Sequence, residues 1–181
     1  MTLPKPIAES YWVVPGRILA GEYPSSVNAR QGLRKLQRFL DAGVTCFVDL
    51  THPHDPLDPY EPLLERLGAN GVKRVSLPIV DMDVPASSGH TTKILDTIDR
   101  ESASGGTVYV HCWGGIGRTG TIVGCWLVRH GMTGEEALTR VAELWATRPD
   151  SSWSASPQTE AQFDFVRTWA EYDPALADDG S

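Results

Sequence analysis

The sequence predicts an α/β fold, a central parallel-rich mixed sheet flanked by helices on both faces. Three observations predict it. Short β-rich apolar runs alternate with segments whose apolar residues recur at helical spacing, the pattern of strand–helix–strand units. Near the start, two β-rich runs flank Pro15-Gly16, so one hairpin makes the sheet mixed rather than purely parallel. Finally, the apolar run Thr107-Val108-Tyr109-Val110 leads through a glycine-rich segment into Thr121–Val128, a strand, a loop and a buried helix in direct succession.

Taken in order, Tyr11–Val14 and Arg17–Ala20 are the hairpin strands. Leu33, Leu36, Phe39 and Leu40 recur at helical spacing, and Gly43 supplies a stop. The continuous run Val44–Leu50 reads as an interior strand. Tyr60 to Asn70 reads as a helix, Val72 to Leu77 as a strand, and Thr91 to Ser102 as a helix carrying Ile94, Leu95 and Ile98. The strand into Cys112 follows, then the helix out of its loop. Glu135 to Thr147 is amphipathic through Leu138, Val141, Leu144 and Trp145. Ser156 at the cap and Pro157 in the first turn predict the start of a last helix carrying Phe163, Val166 and Trp169. The expected organisation is one domain over 1–172 and a frayed polar tail over 173–181.

At 181 residues, 41% of them apolar, the chain can bury a substantial core. Sixteen basic against 23 acidic residues leave a formal charge of −7, and no local basic run is read as offsetting it. That balance points away from nucleic acid and from anionic membrane as partners. No apolar run approaches the roughly 18 residues of a membrane span, and the N-terminus lacks a signal-peptide pattern. Cys46, Cys112 and Cys125 have neither metal-ligand nor disulfide-framework spacing, and the histidines form no metal set. The expectation is a cytoplasmic monomer with no metal and no cofactor, in a setting that keeps thiols reduced.

The segment His111-Cys112-Trp113-Gly114-Gly115-Ile116-Gly117-Arg118-Thr119-Gly120 carries the chemistry. Backbone N–H groups of Trp113, Gly114, Gly115, Ile116 and Gly117, together with the N-terminus of the following helix, converge on one anion in such a loop, and glycines permit the turn. The same donors, with Arg118 alongside, favour the thiolate of Cys112, which makes it a nucleophile towards phosphorus. The planar fork of Arg118 suits two phosphate oxygens at once. Thr119 offers a hydroxyl to the sulfur, and His111 shapes the loop through backbone hydrogen bonds. Upstream, Leu77–Pro85 ends a strand and opens a loop with two aspartates, Asp81 and Asp83, either of which could protonate a leaving oxygen. Both this loop and the cysteine loop follow strand ends, which places them on one edge of the sheet.

His-Cys-x5-Arg-Thr is the signature of the cysteine-dependent protein tyrosine phosphatase superfamily, which the chain resembles from the Trp12 hairpin to the last helix. The likeness is to its compact dual-specificity type, similar to the kinase-associated phosphatase group and its bacterial relatives. It implies a dual-specificity phosphatase-like fold and a phosphocysteine intermediate. In Pro78-Ile79-x-Asp81-x-x-x-Pro85 it assigns the general acid to Asp81, with Asp83 second. Gln158-Thr159-x-x-Gln162 resembles the glutamine loop, which implies that Gln158 positions the hydrolytic water and that Gln162 contributes to the substrate site. The implied substrate is phosphotyrosine of a protein, with phosphoserine and phosphothreonine alongside. No phosphotyrosine-recognition loop matches; Tyr60 either takes its place or packs on the core. The loop holds no lysine, in contrast to lipid- and inositol-phosphate phosphatases of the superfamily, which favours a monophosphate ester. Two alternatives stand beside this: a phosphatase of a small phosphorylated metabolite or inositol phosphate, and a silent phosphopeptide-binding module.

Overall fold

The computed structural model describes residues 3–171, so the expected tail over 173–181 lies outside the described residues. Five strands form one sheet in the order β1-β2-β5-β3-β4. The hairpin strands β1 (Ser10–Val14) and β2 (Ile18–Gly21) are antiparallel. The strands β3 (Val44–Asp49), β4 (Lys73–Ser76) and β5 (Thr107–His111) run parallel, and β2 joins β5 in the same sense. The mixed, mostly parallel sheet is thus the one the sequence predicts.

Period-two alternation sorts side chains to the two faces. Cys46 and Val48 of β3, with Val108 and Val110 of β5, join the core under α3 (Ser88–Ala103), α4 (Gly117–Arg129), α5 (Gly134–Trp145) and α6 (Glu160–Thr168). Phe47 and Tyr109 point the other way, against α1 (Ala29–Asp41) and α2 (Glu61–Arg66). Both Cys46 and Cys125 are fully buried, and burial pushes the Cys46 thiol up to about 11 and that of Cys125 higher still. No helix of the described residues is long and apolar enough to cross a membrane.

Several boundaries differ from expectation: α2 ends at Arg66 rather than Asn70, and two helix starts are displaced by three residues. The last helix begins at Glu160, not Pro157, and its cap is Thr159. Thr159 and Gln162 form a reciprocal capping box, so the helix starts where both backbone donors are satisfied. Ser156 is spent elsewhere: its hydroxyl donates to the Ile116 carbonyl at 2.8 Å. Likewise α3 begins at Ser88, because Ser87 accepts the His90 N–H as its cap.

Charge is also less evenly spread than the sequence reading holds. Arg30, Arg34 and Arg38 gather on the solvent side of α1, opposite Leu36 and Phe39.

Candidate active site

The three parallel strands end in register, with Asp49 of β3 opposite His111 of β5 and Ser76 of β4. The loops that follow them, at Cys112, at Thr51–Asp55 and at Leu77–Asp81, therefore rise from one edge. A cavity of about 200 Å³ on that edge is lined by Asp81, Met82, Cys112, Trp113, Gly114, Ile116, Gly117 and Gln158. Three sequence motifs separated by up to 77 residues meet there, as the sheet geometry requires.

The cysteine loop is held from outside through its carbonyls. Cys112 O accepts from His111 Nδ1 at 3.2 Å and Trp113 O from the Tyr23 N–H at 2.8 Å. Gly114 O accepts from both Nη atoms of Arg148 at 3.2 Å, and Gly115 O from Nη1 at 3.4 Å. Ile116 O accepts from Ser156 Oγ at 2.8 Å. In a trans peptide the N–H points opposite its C=O, so the five amides from Trp113 to Gly117 turn to the inner side. Those of Trp113, Gly114, Gly115 and Ile116 find no acceptor among the described residues. Gly115 has φ +69°, and a Cβ there would overlap the Gly21 backbone, so only glycine lets the loop lie this close to the hairpin.

His111 is fully buried, and burial lowers its pKa despite Asp49 nearby, so the ring is neutral. A carbonyl can only accept, which puts the proton on Nδ1 and leaves Nε2 to accept from the Tyr60 hydroxyl at 2.9 Å. Burial holds Tyr60 well above its ordinary value, consistent with an O–H donor. Tyr60 lies within an aromatic cluster with Tyr23, Phe47 and His111. It packs on the core and does not line the cavity.

Arg118 is 1% exposed and fixed along one side of its guanidinium. Nη1 donates to Asp55 Oδ2 at 2.6 Å and to Ile79 O at 3.1 Å. Nε and Nη2 are buried without a hydrogen-bond acceptor, although Asp81 Oδ1 lies 2.9 Å from Nη2 as a charge contact. Burial alone would lower the pKa of Arg118, but Cys112, Asp55 and Asp81 raise it, so the cation is secure. The Nε–Nη2 edge is the pair of parallel donors that matches two oxygens of a tetrahedral oxyanion.

The two candidate acids part company. Asp81 reaches Arg118 and the cavity, whereas Asp83 Oδ1 accepts the N–H of Val84 and its carbonyl the amide of Gln162. Gln158 borders the cavity, but Gln162 does not: its Oε1 accepts from the N–H groups of Gln158 and Thr159, and its Nε2 donates to Asp83 O at 3.0 Å. Gln162 is thus a strut between the two loops. Among the described residues the buried Thr119 hydroxyl has no hydrogen-bond partner, so the expected bond to the sulfur is not made there. Trp113, 44% exposed, borders the cavity.

Asp55 and Arg148 are the residues that reading the sequence missed. Asp55 lies just past the β3 end, and that position at the carboxyl edge was its one available signal. Arg148 lies after α5, 3% exposed, its Nε and Nη2 paired to Asp150 and its guanidinium over the Trp145 ring at 4.3 Å. Nothing in the local sequence links it to a loop more than 30 residues upstream.

Residues 8–167 match the family model of the Swiss Army Knife protein DSP-PTPase phosphatase domain. Among curated proteins, the dual specificity protein phosphatase CDC14AB of Danio rerio is 26% identical over 135 residues, 66% of this chain and 19% of that protein. The chain thus spans about a fifth of that relative's length. Tk-PTP in its active form is 25% identical with a TM-score of 0.66, covering 88% of this chain and 94% of that one. PTPMT1 in complex with PI(5)P is similar in fold, at 21% identity and a TM-score of 0.65 over 88% and 92% of the two chains.

Proposed function

Because the chain belongs to the DSP-PTPase phosphatase domain family, we propose that it is a metal-independent phosphomonoesterase whose nucleophile is Cys112. The observation that carries this reading is one cavity bordered by Cys112, Asp81 and Gln158, beside the Nε–Nη2 edge of Arg118, which makes no hydrogen bond among the described residues and meets only the Asp81 carboxylate. In the first step the Cys112 thiolate attacks phosphorus, the Sγ–P bond forms and the ester P–O bond breaks. Asp81 gives its proton to the leaving oxygen. The inward N–H groups and Arg118 hold the three equatorial oxygens as charge spreads over them. In the second step a water positioned by Gln158 attacks phosphorus, returns a proton to Asp81, and expels the thiolate with free phosphate.

The substrate we propose is a phosphorylated side chain of a protein, phosphotyrosine first and phosphoserine or phosphothreonine beside it. Met82 and Trp113 border the cavity half exposed, an apolar rim suited to an aryl ester or a peptide backbone rather than to a bare polyphosphate. A second reading rests on the fold neighbour solved with PI(5)P: a phosphoinositide or inositol phosphate in the same cavity. The lack of a lysine between Cys112 and Gly120 weighs against it. Assay of the purified protein in EDTA on an aryl phosphate, phosphopeptides and inositol phosphates separates these readings. Cys112→Ser is expected to abolish turnover while vanadate still binds, because the nest is kept and the ionisable sulfur is lost. Activity above a few per cent in that variant would remove Cys112 from its role, and no turnover on any substrate would favour a phosphopeptide-binding module.

A further inference from the structure

A groove leaves the mouth of the catalytic cavity. Trp113 borders both that cavity and a second depression of about 190 Å³. The second shares Glu22, Ser25, Ser26 and Lys35 with a third, of about 690 Å³, that runs on to Arg34 and Arg38 of α1. Resting on the protein-substrate reading above, we propose that this groove and the Arg30, Arg34 and Arg38 face of α1 dock an acidic stretch of the phosphorylated protein.

The three arginines recur at i, i+4 and i+8, so they stand on one exposed face, where like charges at that spacing repel. None of them pairs with a carboxylate among the described residues. Lys35 is different: it is bound to Glu22 at 2.5 Å and to the Tyr23 carbonyl at 2.6 Å, so it closes the groove wall rather than offering charge. Glu9 and Asp58 are the remaining acidic residues on the lining, one at each end of the groove. In a chain of net charge −7, three neighbouring cations that make no ion pair among the described residues are a local exception. The concave path from Trp113 suits an extended chain whose phosphorylated residue sits in the cavity. A flat anionic membrane would meet the helix face but not the groove.

Phosphopeptides carrying one phosphorylated residue and a short acidic, neutral or basic flank, on its N- or C-terminal side, test this against a small aryl phosphate. The acidic flank on one side is expected to raise kcat/KM about tenfold over the neutral one, through KM, given the modest strength of exposed ion pairs. That ratio should shrink as salt is added. In the Arg30→Gln, Arg34→Gln, Arg38→Gln triple variant, with its urea midpoint checked against wild type, the ratio should fall to about one. Equal rates on acidic and neutral peptides in wild type, or a ratio unchanged in the triple variant, would overturn the proposal. So would arginine-dependent binding to phosphatidylserine vesicles without a peptide preference, which would make α1 a membrane face. If the aryl phosphate is cleaved and no phosphopeptide is, the protein-substrate reading itself fails.

Discussion

Asp81 and Asp83 stand two residues apart, yet only the first reaches Arg118 and the cavity. Asp81→Asn should therefore slow esters with poor leaving groups far more than those of activated phenols, which depart unprotonated. Asp83→Asn should change little, and the reverse pattern in a leaving-group series would shift the acid by two positions. Asp55 makes a second test at this scale. Its 2.6 Å bond fixes the Nη1 side of Arg118 and so aims the free edge. A charge-assisted hydrogen bond of this kind is worth ~1.5–3 kcal/mol, so Asp55→Asn should lower kcat/KM roughly ten- to hundredfold. A rate at or above wild type would mean that Asp55 only competes with substrate for the guanidinium. Cys112 and Arg118 were legible from their own spacing, because the loop that joins nucleophile to guanidinium fixes five residues between them. Asp55 was not, because its partner lies 63 positions away and only the sheet order brings the two together.

At the scale of elements, the alternation of strands and helices was readable because buried parallel strands are continuous apolar runs. The start of α6 was not. Ser156-Pro157 has the composition of a helix start, but the serine hydroxyl is claimed by Ile116 O, and the reciprocal Thr159–Gln162 cap sets the boundary instead. Long-range partners overrode local signals here, and Arg148 repeats the lesson. It ties the segment after α5 to the carbonyls of Gly114 and Gly115. Arg148→Leu is expected to leave two buried carbonyls short of donors, at ~1–3 kcal/mol each. Weaker vanadate binding and lower kcat should accompany a lower urea midpoint. A drop in stability with vanadate affinity intact would confine Arg148 to packing.

For the molecule as a whole, His111 ties stability to pH. Burial lowers its pKa from 6.5, so the unfolded chain binds a proton that the folded chain refuses. Stability contributed by His111 is complete above pH 6.5 and declines as the pH falls below it, by at most ~1.4 kcal/mol per pH unit. Asp49 acts in the same direction lower down. Burial would raise its pKa, but His111, the Thr51 hydrogen bonds and Arg74 bring it below 3.8, so its share is lost as pH falls through that region. Urea midpoints between about pH 7.5 and about pH 5 should fall in wild type and flatten in His111→Gln. A flat wild-type profile would mean that the ring is protonated in place. The outward bracing of the cysteine loop by Tyr23, His111, Arg148 and Ser156 has a further consequence, for the end of the catalytic cycle. A cradle already set before substrate arrives spends little entropy on closing, and it grips a free tetrahedral anion as readily as an esterified one. Inorganic phosphate should then compete with the phosphorylated substrate for the cradle, with arsenate close behind, and steady-state rates should depend on how much phosphate the surroundings hold.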